Sequence, residues 1–241
     1  MKIDILAIGV HPDDIELACS GTLLRHIHLG KKVGLLDLTT GELGTRGSGP
    51  LRLKEAANSA QLMGAVFREN LQMADGFFQY SKENILKIIP VLRKYQPDIV
   101  LANALDDRHP DHGRAAKLVA DACFYAGLIK IETFDKMGAK QDRWRPRALY
   151  HYIQDRTIKP DFVIDITDFI DKKFELILAF KSQFFIENQE DKELSTPISG
   201  KDFQEYLRAV GRTYGRPIGV EYAEAFNVSR TMGVNDLFDL V

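Results

Sequence analysis

Imidazole and carboxylate side chains gather in two short runs of this 241-residue chain, His11-Pro12-Asp13-Asp14 and Asp107-Arg108-His109-Pro110-Asp111-His112, which hold three of its six histidines. These are ligand types that zinc takes, and three protein ligands with one open position define a catalytic metal site. His11 and Asp14 are three apart across what reads as a strand-to-helix turn, so both can face one point while Asp13 faces another. A third ligand would come from His109 or His112. Asp13 is then left beside the metal but free of it, where a general base for a metal-activated water belongs. The other histidine of the second run is available to donate a proton or stabilise an oxyanion, with Asp111 to orient its ring. Each run also has a plain structural reading, since acids at a helix start cap free N–H groups and meet the positive end of the dipole. Two runs with interlocking roles favour the metal.

Such a site needs two strand ends side by side. Ile3 to Val10 and Val33 to Leu38 read as apolar strands, and between them Ile15, Leu17, Ala18, Leu23, Leu24 and Ile27 recur at helical spacing until Gly30. Strand, helix, strand in so short a span is the signature of a right-handed βαβ unit in a parallel sheet. The pattern continues with helices from about Leu51 to Met63 and Lys82 to Tyr95, a strand Ile99 to Ala102, and a helix from about Gly113 to Tyr125. The expected fold class is therefore α/β: a Rossmann-like, mostly parallel sheet with helices on both faces, whose ligands gather at the carboxyl ends of the strands. The loops after Val10, Leu38 and Ala102 become the places to look.

From Leu149 the order changes to two short strands, Leu149 to Ile153 and Phe162 to Ile166, then helices near Phe169 to Phe184 and Phe203 to Tyr214, a smaller C-terminal α+β extension. The stretch Asn188 to Lys201, rich in charge, Ser, Pro and Gly, is expected to be a mobile loop. Neither an internal repeat nor a linker divides the chain, so residues 1–241 read as one domain.

Charge and composition exclude other classes. The 32 basic and 34 acidic side chains leave a formal −2, which offers no global field for nucleic acid or an anionic membrane. No apolar run approaches the roughly 20 residues of a membrane span. The first residues carry Asp4 within a short apolar run, unlike a cleavable signal, and place the expected protein in the cytoplasm. Cys19 and Cys123 lack metal or disulfide spacing and read as small core residues. The glycine-dense Gly41 to Gly49 lacks the Gly-Lys-Ser/Thr of a phosphate loop and reads as a loop bordering the site. His26, His28 and His151 receive no catalytic role. Trp144 reads as a packing anchor, and Phe180, Phe184 and Phe185 as core or subunit interface.

His11-Pro12-Asp13-Asp14 with Glu16, paired with Arg108-His109-Pro110-Asp111-His112, resembles the PIG-L/LmbE family of zinc-dependent N-acetylglucosamine deacetylases. The likeness continues through Asp37-Leu38-Thr39, Arg52 with Lys54-Glu55, Arg145-Pro146, Ser182-Gln183-Phe184 and the run from Gly219 to Phe226. That wider set is most similar to the bacillithiol-biosynthesis branch, whose members remove acetyl from N-acetylglucosaminyl malate. The resemblance implies one Zn2+ per chain on His11, Asp14 and His112, Asp13 as base, and His109 held by Asp111 as acid or oxyanion stabiliser. It implies that Arg52 and Arg108 receive the malate carboxylates, that Arg145 is a further active-site arginine, and that the protein is a homo-oligomer, as its often hexameric relatives are. Some relatives carry a tyrosine just before the penultimate helix, where this chain reads Gly200-Lys201-Asp202-Phe203 with Tyr206 the nearest.

Two rival readings stand beside this one. A metal-dependent hydrolase of another bond, such as a phosphoester, is weakened by the single metal's worth of ligands, because phosphoester sites commonly use two ions. A non-catalytic sugar- or nucleotide-binding protein would need no free carboxylate beside a metal.

Overall fold

Ile5–Gly9 forms strand β1, buried along its whole length, as the centre of a parallel sheet requires. The structure, a computed structural model, describes residues 1–184 and 194–240. Its other strands are β2 (Val33–Thr39), β3 (Phe67–Met73), β4 (Ile99–Ala102), β5 (Ala148–Tyr152), β6 (Phe162–Asp165) and β7 (Ala223–Val228). They make one sheet in the order β3-β2-β1-β4-β5-β7-β6. The first five are mutually parallel, and β7 and β6 complete the edge antiparallel.

Alternate residues of β1 enter different cores. Leu6 and Ile8 pack with Ile88 and Leu92 of helix α3 (Lys82–Tyr95) and with Leu118 and Val119 of α4 (Pro110–Ala126). Ile5 and Ala7 pack on the other side with Leu23 of α1 (Asp14–His28), Met63 of α2 (Gly49–Met63) and Leu176 of α5 (Ile170–Leu178). Helices thus cover both faces of a Rossmann-like, mostly parallel sheet, as the apolar patterning predicts. Cys19 and Cys123 are buried in these cores. Among the described residues no helix is long and apolar enough to cross a membrane.

Three differences from the sequence reading have physical causes. Strand β3 was not expected because Phe67-Arg68-Glu69-Asn70-Leu71-Gln72-Met73 sits half-buried at the sheet edge and carries no apolar run. Strand β7 was hidden by Glu224, a buried acid whose oxygens accept from the Gly21 and Thr22 N–H groups (2.9 and 2.7 Å) and pair with Lys173. The helix expected to reach Phe184 ends at Leu178, because the chain then turns to set Ser182 and Gln183 against Glu55 and the Arg46 carbonyl. Phe180 and Phe184 join Ala56 and Ile177 in a small core, while Phe185 lies outside the described residues. Of the stretch read as a mobile loop, residues 188–193 also lie outside them, and Lys201 already opens helix α6 (Lys201–Gly215).

Strand pairing decides where the two histidine runs meet. β1 pairs with β4 from Ile5↔Ile99 to Ala7↔Leu101, so the chain leaves both strands side by side. Strand order reverses direction between these two, the crevice in which open α/β sheets bind ligands.

Candidate active site

The turn from β1 into α1 presents two acids differently. Asp14 opens α1 and is fixed by three donors to Oδ2: the Val10 N–H at 3.0 Å, the His11 N–H at 2.9 Å and Asn103 Nδ2 at 2.9 Å. Its Oδ1 accepts from Gln154 Nε2 (2.8 Å) and lies 3.3 Å from His112 Nε2, while His11 Nδ1 lies 3.6 Å from Oδ2. Ligand atoms of a tetrahedral ion with bonds of about 2.0–2.2 Å lie about 3.3–3.6 Å apart, a spacing that each histidine keeps to one Asp14 oxygen, though to a different oxygen in each case. His109 completes the cluster, with one ring nitrogen each of His11, His109 and His112 within 4.8 Å of one another.

Asp13 stands apart from that group. Its backbone has φ 120°, a left-handed conformation rare outside glycine, and among the described residues its carboxylate makes no capping bond to α1. Capping therefore does not account for it. The carboxylate instead meets Arg52 of α2, with Nη2 3.0 Å from Oδ2. Arg52 also donates to Pro12 O (2.7 Å) and Gly41 O (3.3 Å). Gly41 must be glycine here, since it holds φ +66° and a Cβ would stand 2.1 Å from Arg52 Nη1.

The electrostatics favour positive charge at the histidines. His11 and His112 are contacted by four carboxylates, Asp14, Asp75, Asp107 and Asp111. Burial opposes protonation of His112, yet Asp14 and Asp107 push it up to about 9, and His11 rises likewise against its burial. Burial would raise Asp14, but His112 and His11 hold it well below the usual carboxylate range. A cluster that demands a cation in this way suits a divalent ion as well as it suits protons. Asp13 differs, because burial lifts it to about 7 with Arg52 pulling the other way. Burial, then His11 and His112, lower His109.

A cavity of about 450 Å³ opens over these groups. His11, Asp13, Asp14, Arg52, His109 and His112 line its polar end, and Arg108 stands near the mouth, paired with Asp155. Leu43, Gly44 and Arg46 of the glycine-dense loop border it, as that loop was read to do. Tyr206 lies in the wall with its hydroxyl donating to Asp155 O at 2.8 Å.

Two expectations are corrected. Arg145 does not line the cavity: it donates to Phe124 O (3.0 Å) at the far end of α4 and stacks on the Phe124 ring. It precedes β5, whose parallel pairing with β4 puts that approach at the amino ends of the strands, opposite the site. The Asp111 carboxylate does not hold His109. It faces the Gly76 N–H (2.9 Å), Arg114 (2.8 Å) and His11 Nε2 (3.5 Å), and only the Asp111 backbone N–H donates to His109 Nδ1, at 3.3 Å.

Other residues were missed. Asp75, in the loop after the unexpected β3, lies 3.0 Å from His11 Nε2, and Asp107 accepts from His112 Nδ1. Glu16 and Asp37, quoted above only for their likeness, converge on the buried Arg68, which donates at 2.6 Å to the first and at 2.8 and 2.9 Å to the second. That clamp binds α1, β2 and β3 beneath the site.

Residues 6–123 match the PIG-L family, GlcNAc-PI de-N-acetylase. The diacetylchitobiose deacetylase of Thermococcus kodakarensis is 30% identical over 231 residues, which cover 91% of this chain and 80% of that protein. The 4-oxalmesaconate hydratase of Pseudomonas putida is 25% identical over 203 residues, 74% of this chain and 73% of its own. Among solved structures, the conserved protein TT1542 from Thermus thermophilus superposes with a TM-score of 0.83 at 35% identity, covering 97% of this chain and 98% of that one. With similarity along nearly its whole length to a deacetylase, this chain belongs to the PIG-L family of de-N-acetylases.

Proposed function

We propose that this protein is a zinc-dependent deacetylase of N-acetylglucosamine conjugates, with N-acetylglucosaminyl malate, the bacillithiol precursor, as its substrate. The observation that carries the reading is a buried carboxylate, Asp13, held beside a His/Asp group that could bind a metal yet pointed at Arg52 instead. Amide hydrolysis needs that division between ligands and a free base. In this reading His11, Asp14 and His112 hold the ion, which when bound polarises the acetyl carbonyl and makes water easier to deprotonate.

The chain's own groups do the rest. Asp13 accepts the proton of the attacking water, and Arg52 keeps its carboxylate aimed into the cavity. His109, half-buried on the other side of the cluster, carries a proton to the departing amine through Nε2, because Nδ1 faces the Asp111 N–H. Arg108 at the mouth reads a carboxylate of the aglycone by charge-assisted hydrogen bonds. The single sheet supports one domain throughout. The family resemblance leads us to place this chain in a cytoplasmic homo-oligomer, a hexamer in the first instance.

The test is to incubate zinc-loaded protein with N-acetylglucosaminyl malate, N-acetylglucosamine and diacetylchitobiose and to measure free amine, with 4-oxalmesaconate hydration followed in parallel. Fastest release from the malate conjugate is expected. Hydration without amine release from any sugar would replace this reading with the hydratase's.

A further inference from the structure

Two histidines at the floor of the cavity present different nitrogens to the same spot. His11 turns Nδ1 towards Asp14 and Nε2 onto Asp75 Oδ1 at 3.0 Å, with Asp111 Oδ2 farther from the same nitrogen at 3.5 Å, whereas His112 turns Nε2 towards Asp14 and Nδ1 onto Asp107. A neutral imidazole carries one N–H, and the nitrogen that donates it cannot also lend its lone pair to a cation. The two outer carboxylates therefore impose opposite tautomers, leaving Nδ1 free on His11 and Nε2 free on His112.

Neither carboxylate is loose. Asp75 Oδ2 accepts from the Leu43 N–H (2.9 Å), and the Asp75 N–H donates to Glu42 Oε1 (2.9 Å). Asp107 Oδ1 accepts from the Asp155 and Arg156 N–H groups at 3.1 and 2.8 Å. Both side chains are buried, at 6% and 8% residue exposure, and Leu43 and Asp155 line the cavity. Each acid thus gives one oxygen to a histidine and the other to a loop of the cavity wall.

Resting on the metal reading given above, we propose that Asp75 and Asp107 are positioning residues that set the tautomers of His11 and His112 for gripping one divalent ion, and that they tie the Leu43 and Asp155 loops to that grip. Asp75 has a competing use, because His11, Asp75 and Asp111 also offer atoms within 4.8 Å of one another, as a second ion would require. His11 would then have to bind through both nitrogens and give up its last N–H. The hydrogen-bonded arrangement needs no such loss.

The experiment measures zinc stoichiometry and affinity by chelator competition, together with the visible spectrum of the cobalt-substituted protein. It compares wild type with Asp75→Ala, Asp107→Ala, their Asn counterparts and the exposed control Asp142→Ala. Folding is checked by circular dichroism. One ion per wild-type chain is expected, held about 10–100-fold more weakly in the Ala variants with an altered cobalt spectrum. The Asn variants, which keep an acceptor oxygen and nearly the same shape, should lose less. Hydrogen exchange at Leu43 and at Asp155 and Arg156 should slow on zinc addition in wild type and not in the matching Ala variant. Unchanged affinity and spectrum in folded variants would overturn the proposal while leaving the metal reading intact. Two ions per wild-type chain falling to one in Asp75→Ala would overturn it in favour of the second site. A wild-type protein that takes up no zinc would remove the metal reading itself, and the proposal with it.

Discussion

Arg52 Nη2 lies 3.0 Å from Asp13 Oδ2 and 2.7 Å from the Pro12 carbonyl, so one guanidinium holds both a carboxylate and the backbone that presents it. The carboxylate sits on a residue of positive φ, a conformation that costs about 1–3 kcal/mol for a non-glycine residue and persists where its surroundings over-determine it. Arg52 supplies much of that determination. Its polar contacts are with Asp13, Pro12 and Gly41, and its Nε is buried with no hydrogen-bond partner among the described residues.

The two arginines matched to malate recognition should therefore separate. Arg52→Gln should slow hydrolysis of N-acetylglucosaminyl malate and of plain N-acetylglucosamine by similar factors, because it disturbs the base. Its acid limb should also move to higher pH, since burial lifts Asp13 to about 7 and Arg52 is the charge that opposes the rise. Arg108→Ala should cost about 1.5–3 kcal/mol, an order of magnitude or two in kcat/KM, on the malate conjugate alone. Steady-state kinetics on both substrates across pH 5.5–9 decide it; equal losses from both variants on both substrates would end the assignment of Arg108 to the aglycone.

Asp13→Asn should keep its ion and lose hydrolysis by about two to four orders of magnitude, because the base lies outside the ligand group. Metal analysis beside the assay distinguishes the cases. Loss of metal together with activity would make Asp13 a ligand, and full activity would remove it from the mechanism.

The sequence made visible what depends on local periodicity and strand order. Two apolar strands ending in His/Asp runs were enough to bring His11, Asp14, His109 and His112 to neighbouring strand ends, because β1 and β4 pair. What it hid depends on three-dimensional juxtaposition. Asp111 was assigned to His109 from nearness in sequence, but His109 caps α4 and meets only the Asp111 backbone N–H, while the Asp111 carboxylate reaches the Gly76 loop. Arg145 precedes the expected strand Leu149 to Ile153, but no residue pattern told that this strand runs parallel to β4, which is what puts Arg145 at the end opposite the site. Asp75 had no signal at all, following a strand whose half-buried, polar composition broke the pattern.

Removing either histidine tests the ligand set directly. His11→Ala and His112→Ala should each bind less than one zinc per chain under conditions where wild type binds one, as elemental analysis of dialysed protein would show. Full occupancy in both would transfer the ion to other residues, with His109 the first to examine because its ring nitrogen lies in the same 4.8 Å group.

A last prediction concerns acid stability and a histidine without a catalytic role. His151 is 2% exposed on β5, and its Nδ1–H donates to the Asn103 carbonyl at 2.8 Å. Burial lowers its pKa against the opposing effect of that hydrogen bond, so the folded protein keeps the ring neutral at pH values where the unfolded chain, near pH 6.5, takes up a proton. A depressed folded-state pKa contributes stability above the unfolded value that is lost as pH falls through the folded one, with a limiting slope of about 1.4 kcal/mol per pH unit for one proton. The loss reaches the site, since Asn103 Nδ2 also donates to Asp14 Oδ2 at 2.9 Å. His151→Gln keeps a donor and removes the titration. In urea unfolding of metal-free protein from pH 8 to pH 5, wild type should therefore lose stability faster than the variant below about pH 6.5. The other five histidines are common to both proteins and largely cancel in the difference. Parallel stability curves would show that His151 opens to solvent and takes up its proton without cost to the fold.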